Sequence, residues 1–425
     1  YKLKFVTGNM GEHKRELQDV LFLTALQGLN YLAPLIVFPY LMVVLGAEMF
    51  GYIGFSLSII QYLMLFVDFG FNFSATKRIA QSKHNYDELN EIFWSTLYAK
   101  LIFLLLSFFV LLIFAFGISR FQMYSQTMMI MFVMVVGNAF SFVWFFQGIG
   151  KIRVVSIINI ISKLAILPLT FIFVKVPSDY TKASLILSLV YLLGGLIACF
   201  YLVKKKYIVS RVKPVKNKIF SEIKLSYPIF ISTAVASIYT ALFVVILGYF
   251  SNPIEVGKYT AVEKIVRGIC FLILLPVTQA FYPKISSMSI SGNVFGLIKK
   301  SLFAVSSIMM GAFIILYFFS DLIVSLLGDD YAGAEVLFKI MAFLPLIISA
   351  GGILGQLGLL AAGDERDKRN YQLVYVVAAV VSLISVLILV PGLFANGAAI
   401  ALLVTESMVF LGMLWFNKKN LLYKK

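Results

Sequence analysis

Twelve runs of apolar residues punctuate this chain, at about 18–46, 50–74, 91–117, 121–148, 152–174, 181–203, 223–250, 256–283, 296–320, 333–361, 371–391 and 394–416. Each is long enough to cross a hydrocarbon core about 30 Å thick, which takes about 20 residues of helix. An unpaired backbone amide in lipid has no water to bond, so runs of this kind must fold as helices. The expectation is an all-α polytopic membrane protein of twelve transmembrane helices. Only 13% of the 425 residues are charged, against about a quarter in a soluble domain. The net charge of +16 would suggest nucleic acid as a partner of a soluble protein. Here the charges sit in loops between apolar runs, where basic residues set topology, and no nucleic-acid partner is expected.

Orientation follows from those loops. Of 36 Lys and Arg residues, 27 fall on the side of the N-terminus and four, Arg120, Lys175, Lys182 and Lys258, on the other. Both termini are therefore expected in the cytoplasm, with an even number of crossings. The first apolar run is too long for a signal-peptide core, so no cleavable signal is expected, and residues 1–9, ahead of Met10, are set aside from the fold. The longest polar stretch, residues 204–224, is read as a basic connector that touches anionic membrane lipid. It divides the chain into an N-terminal segment (1–17), a first lobe (18–203), the connector (204–222), a second lobe (223–416) and a tail (417–425). A constant offset of 206 lays FGYIGFSLSII at 50–60 over VGKYTAVEKIV at 256–266, and ATKRIA at 75–80 over FYPKIS at 281–286. A repeat after six helices predicts two six-helix lobes related by a pseudo-two-fold axis along the membrane normal, with a cavity between them.

Ionisable residues inside the spans are the next constraint, because each costs roughly 2.5–3.5 kcal/mol on the insertion scale before pairing or water relieves it. The eighth span carries Glu263, Lys264 and Arg267, with Arg267 about 16 Å from its start at 1.5 Å per residue, near mid-membrane. Lys163 in the fifth span and Lys100 in the third reach similar depth. Cations at that depth face a bundle interior or an aqueous cavity and mark a substrate path. Glu263 neutralises only one of them, so a positive cavity that attracts an anion is expected, with Arg267 suited to phosphate by its fork of donors. Gln61, Asn72, Asn138, Gln147, Asn159 and Gln279 either line that cavity or tie helices together. Glu263, Glu406 and Asp68 are candidate proton or sodium carriers, Asp68 being equally a partner for Lys77 or Arg78, and Lys339 is expected to pair with Glu335. Pro34, Pro39 and Pro276 are candidate hinges, since each removes a helix hydrogen bond.

Several chemistries have no residues to support them. There is no GxxxxGK phosphate loop. His13 and His84 lie in polar segments while Cys199 and Cys270 lie in spans, leaving no metal constellation and no disulfide framework. No nucleophile has a base positioned beside it, so no enzymatic activity and no cofactor are expected beyond a coupling H+ or Na+.

QGLNYLAPLIVFPYL at 27–41, DFGFNFSATKRIA at 68–80, WFFQGIGK at 144–151, SYPIFISTAVASIYT at 226–240, VGKYTAVEKIVRG at 256–268 and QAFYPKIS at 279–286 carry a resemblance. In order and content they resemble the Wzx-type O-antigen and polysaccharide flippases of the multidrug/oligosaccharidyl-lipid/polysaccharide transporter superfamily. The resemblance covers the first eight spans and leaves the last third of the chain without a motif. It implies transfer of an undecaprenyl-pyrophosphate-linked oligosaccharide from the cytoplasmic to the outer leaflet of a bacterial inner membrane, as a step in lipopolysaccharide or polysaccharide assembly. A polysaccharide polymerase and chain-length machinery are the partners it implies. The cationic cavity of the family maps here onto Lys264 and Arg267 of one lobe and Lys163 and Lys100 of the other. Two other readings stay open: a cation-coupled multidrug exporter of the same superfamily, and a non-transporting scaffold for polysaccharide assembly.

Overall fold

A computed structural model describes residues 3–82, 85–208, 216–287 and 292–422. The middle of the basic connector, the loop containing His84 and the last three residues of the tail lie outside the described residues. Everything regular among them is helical. The first part of the chain forms α1 (Leu3–Asp68), α2 (Phe71–Gln81), α3 (Tyr86–Leu112), α4 (Ser125–Ala139), α5 (Val143–Gly148), α6 (Ile152–Leu164), α7 (Ile166–Phe173) and α8 (Tyr180–Lys204). The second part forms α9 (Lys216–Phe250), α10 (Pro253–Ser287), α11 (Gly292–Phe318), α12 (Ser320–Leu327), α13 (Glu335–Met341), α14 (Leu344–Ile353) and α15 (Glu365–Leu422). Nine apolar helical segments are long enough to cross a membrane among the described residues.

Two helices are far longer than one crossing and break where the sequence leaves a gap between spans. The first arm of α1 ends at Gly46, which adopts φ 71° and ψ 173°. That left-handed backbone suits glycine, and a Cβ there would also collide with the Asp330 carboxylate. α15 leaves helical geometry at Phe394, φ 47°, an uncommon state for a bulky residue. The strained turn is held from outside, because the backbone N–H of Ala395 donates to Glu255 of α10 at 3.3 Å.

Several expected spans are interrupted. The second ends at Phe69 and Gly70, both at positive φ, before α2 begins. The fourth divides at Phe142 (φ 49°) into α4 and α5, and the fifth divides ahead of Pro168 into α6 and α7. Periodic hydrophobicity does not report the break at Phe142, since an apolar residue there looks the same as one inside a helix.

The second arm of α1 packs on the N-terminal part of α10 with backbones nearly touching. A Cβ on Gly51 would meet the Pro253 carbonyl and stand 3.0 Å from Gly257 N; a Cβ on Gly257 would meet the Ala47 carbonyl and stand 3.0 Å from Gly51 N. Gly54 faces Thr260 in the same way, its Cβ position 2.8 Å from the threonine side chain. The pairs 47 and 253, 51 and 257, 54 and 260 are each separated by 206, the offset found in the sequence, and each residue meets the neighbourhood of its own counterpart. Small residues allow this approach, which lets van der Waals contact replace the hydrophobic drive that lipid does not supply.

The two parts of the chain also meet beyond the other end of these helices. Arg78 of α2 forms an ion pair with Glu222 of α9, whose side chain is 2% exposed. Nearby, Lys218 reaches Glu91 at 3.2 Å and the hydroxyls of Ser74 and Ser226 are hydrogen-bonded. Phe69 stacks between Phe103 and Phe230, with both ring centroids at 4.3 Å.

Candidate functional site

Between these two regions of contact lies a cavity of about 510 Å³, within the range of small-ligand sites. Its walls are the first arm of α1 around Pro34, Phe38 and Met42, the second arm around Gly54, Ser58 and Gln61, α9 at Ala241 and Val244, and α10 from Thr260 to Leu272. Most of the lining is apolar. Leu35, Phe271 and Leu272 at its edge are exposed, so the opening between α1 and α10 is greasy rather than polar.

Helical spacing on α10 places Glu263, Lys264 and Arg267 on the wall of this cavity, as their i, i+3 and i, i+4 separations require. Arg267 Nε donates to Glu263 Oε1 at 2.8 Å. Its Nη2 lies 3.7 Å from Oε1 of Glu406, a residue of α15 that is 6% exposed. The guanidinium thus lies between two carboxylates, one from its own helix and one from behind. Lys264 Nζ stands 4.4 Å from the centre of the Phe38 ring, a cation–π contact that holds the ammonium against the first arm of α1. Among the described residues Lys264 has no carboxylate within ion-pair distance. The cavity therefore presents one arginine whose charge is balanced locally and one lysine held by a π face.

This differs from the net-positive lining expected from sequence, in which Glu263 neutralises only one of the cations. Glu406, read there only as a possible carrier, is a partner of Arg267, a contact between residues 139 apart that no local pattern displays. Lys100 departs further. Its side chain is 0% exposed and Nζ donates to Asp68 Oδ1 at 2.9 Å. It faces α1 rather than the cavity, and its depth in the membrane is explained by a buried ion pair. Asp68 accordingly pairs with Lys100, not with Lys77 or Arg78, and Arg78 is taken by Glu222. Lys339 approaches Asp321 at 4.0 Å instead of Glu335.

Lys163 does not share a wall with Arg267. It lines a second, smaller cavity of about 150 Å³ between α4, α6 and α8, together with Asn138 and Asn159. Of the other polar residues, Gln61 lies in the main cavity, while Asn72, Gln147 and Gln279 lie outside both. Pro34 and Pro39 line the main cavity within α1. α10 continues as one helix through Pro276. Phe38 and Thr260 complete the site without having been singled out. For Phe38 the available signal was its place between two prolines, on the helix that faces the charged one.

The fold is shared with solved transporters. The lipid II flippase MurJ in an inward closed conformation superposes with a TM-score of 0.68 at 14% identity, over 94% of this chain and 87% of that one. A multidrug resistance MATE family transporter in an inward-facing conformation gives 0.67 at 13% identity, over 92% and 94%. At these identities the likeness is one of fold alone. Sequence relatives are nearer. A protein of Escherichia coli (strain K12) named as an O-antigen transporter is 34% identical over 97% of this chain and 99% of its own length. One from Shigella dysenteriae with the same name is 30% identical over 93% and 98%. Residues 17–289 match the family model described as polysaccharide biosynthesis protein. With nearly the whole chain aligned to such relatives and its first two thirds to the family itself, the protein belongs to the polysaccharide biosynthesis protein family.

Proposed function

We propose that this protein is a flippase that carries an undecaprenyl-pyrophosphate-linked oligosaccharide from the cytoplasmic to the outer leaflet of the bacterial inner membrane. The observation that carries the reading is the cavity between the two parts of the chain, with Arg267 and Lys264 on one wall and an apolar edge at Leu35, Phe271 and Leu272. An amphipathic anionic lipid needs both features. Its pyrophosphate seeks donors, and an arginine fork fits phosphate oxygens in pairs. Its chain stays in the bilayer if the cavity has an apolar side opening. The names of the relatives, and the lipid substrate in the name of one solved neighbour, point the same way.

The chain makes twelve crossings in this reading. The 49-residue and 54-residue apolar segments each hold two, and the apolar stretch Ala241–Phe250 at the end of α9 belongs to another. Lobes of six helices, 18–203 and 223–416, rock about the axis suggested by the reciprocal contacts of residues 47–54 and 253–260, exposing the cavity to each leaflet in turn. Both termini are cytoplasmic, and the basic connector lies on the anionic inner leaflet. Pro34 and Pro39 supply bending points beside the cavity. The cargo leaves toward a polymerase and its chain-length machinery. A proton or sodium gradient drives the cycle, with Glu263 and Glu406 as its carriers because both compete with the substrate for Arg267.

In cells that depend on this protein, Arg267→Ala is expected to abolish surface polysaccharide at a normal protein level; full retention rejects the reading. Deletion of the gene is expected to leave drug susceptibility unchanged, and broad hypersensitivity would favour a multidrug exporter instead.

A further inference from the structure

The cavity that holds Lys163 is separate from the transport cavity and has its own chemistry. It lies between α4, α6 and α8, and its lining of Asn138, Ser141, Asn159, Ser162 and Lys163 contains donors and no carboxylate. Two of its polar atoms are orphans: Nδ2 of Asn138 and the hydroxyl of Ser162, the latter residue 3% exposed, are buried with no hydrogen-bond partner among the described residues. Lys163 also has no ion-pair partner there. Buried polar groups are ordinarily satisfied, and a cation in a bilayer is ordinarily neutralised. The end of α6 helps only in part: Lys163 occupies its last turn, where the helix dipole favours positive charge.

We infer that this cavity is a binding site for one small inorganic anion, of the size of chloride or phosphate, held between α4, α6 and α8 by Lys163, Asn138 and Ser162. The assignment does not rest on the transport reading. Size sets the upper limit, since about 150 Å³ is below the 300 Å³ or so of the smallest drug-sized pockets and far too small for a lipid-linked sugar. Charge sets the sign, because an ammonium and an unpartnered amide N–H belong to the lining of one cavity in which no acid is present. Glycines keep the space open. A Cβ at Gly195 would stand 2.7 Å from the Gly137 carbonyl, so that glycine is needed for α8 to approach α4, whereas a Cβ at Gly194 would stand 3.4 Å from the Ser162 hydroxyl and point into the void. Gly194 is thus a position from which the site can be filled without disturbing the helix contact.

The test is thermal unfolding of the purified full-length chain at constant ionic strength, titrating chloride in one arm and phosphate in the other against gluconate. A saturable rise of a few degrees in melting temperature is expected in at least one arm, and which arm responds identifies the anion. The rise is expected to vanish in Lys163→Gln and in Gly194→Val, and to persist in Arg267→Gln. Absence of any saturable rise in the unaltered protein overturns the inference. So does a rise that survives in Gly194→Val or Lys163→Gln, or one that disappears in Arg267→Gln, which would move the anion to the larger cavity. If Lys163→Gln does not accumulate, Gly194→Val, which keeps every donor and removes only the space, decides the matter.

Discussion

Removal of the Lys100 side chain is expected to damage stability before it damages transport. Its ammonium is wholly enclosed and donates to Asp68 at 2.9 Å, while Asp68 itself keeps 23% of its surface exposed. Breaking a buried pair by deleting one partner costs about 3–5 kcal/mol, since the other charge is left uncompensated. The partial exposure of Asp68 lets water recover some of that, which puts Lys100→Met near the lower end, about 3 kcal/mol. At roughly 2 °C per kcal/mol for a large domain, the melting temperature should fall by about 6 °C. Asp68→Asn alone should be at least as harmful, because it strands a fully buried cation. The double substitution Lys100→Met with Asp68→Asn should recover most of the loss, as replacing both members of a buried pair is often close to neutral. Melting of the detergent-solubilised protein at a fixed scan rate, for the four members of this cycle, gives the coupling directly. If Lys100→Met melts with the parent and the double variant shows no coupling, the ion pair does not explain why a lysine lies at that depth.

Gly51→Ala and Gly257→Ala should each destabilise by about 1–3 kcal/mol, because the added methyl meets backbone that cannot turn aside; Gly54→Ala, which meets only the Thr260 side chain, should cost less, and melting temperatures will rank the three. Arg78→Glu should open the region of contact around Glu222, raising the labelling rate of a cysteine placed at Ser58 several-fold over a background lacking Cys199 and Cys270, and Glu222→Arg in the same chain should restore slow labelling. Asp179, in the loop before α8, accepts hydrogen bonds from the backbone N–H groups of Lys175 and Val176 and from the Lys182 ammonium, which hold its pKa down to about 2. A carboxyl depressed on folding stabilises the native state above its ordinary pKa of about 4 and loses that contribution as pH falls toward 2. Asp179→Asn should therefore melt lower than the parent at pH 7, with the gap closing between pH 4 and pH 2.

Much of the fold can be read from the chain because lipid leaves few options. Length and apolarity dictate where helices run, and the gaps at 47–49 and 392–393 directly adjoin the breaks at Gly46 and Phe394. The offset of 206 is legible for a physical reason: Gly51 approaches the backbone of Pro253 and Gly257, and Gly257 approaches that of Ala47 and Gly51, so both positions carry the same small side chain for the same contact. The charged wall at Glu263, Lys264 and Arg267 is legible from helical spacing alone. Partners across long sequence separations are not. Glu406 reaching Arg267 and Asp68 taking Lys100 depend on how helices rotate about their axes, and a helix that is apolar on every side gives no periodic signal of its rotation. Local breaks such as Phe142 are hidden for a similar reason, since an apolar residue at positive φ looks the same in sequence as one in a helix.

The account turns on Arg267 meeting the phosphates of a lipid-linked sugar. The direct measurement is leaflet transfer in proteoliposomes containing the purified chain and a fluorescent undecaprenyl-pyrophosphate oligosaccharide, with the outer-leaflet fraction read by an impermeant quencher. The parent protein should move the lipid at a rate well above protein-free vesicles. Arg267→Gln should reduce that rate at least tenfold, the loss of about 1.4 kcal/mol or more that one charge-assisted pair of hydrogen bonds contributes. Transfer by Arg267→Gln at the parent rate, in protein that melts normally, would contradict the central claim.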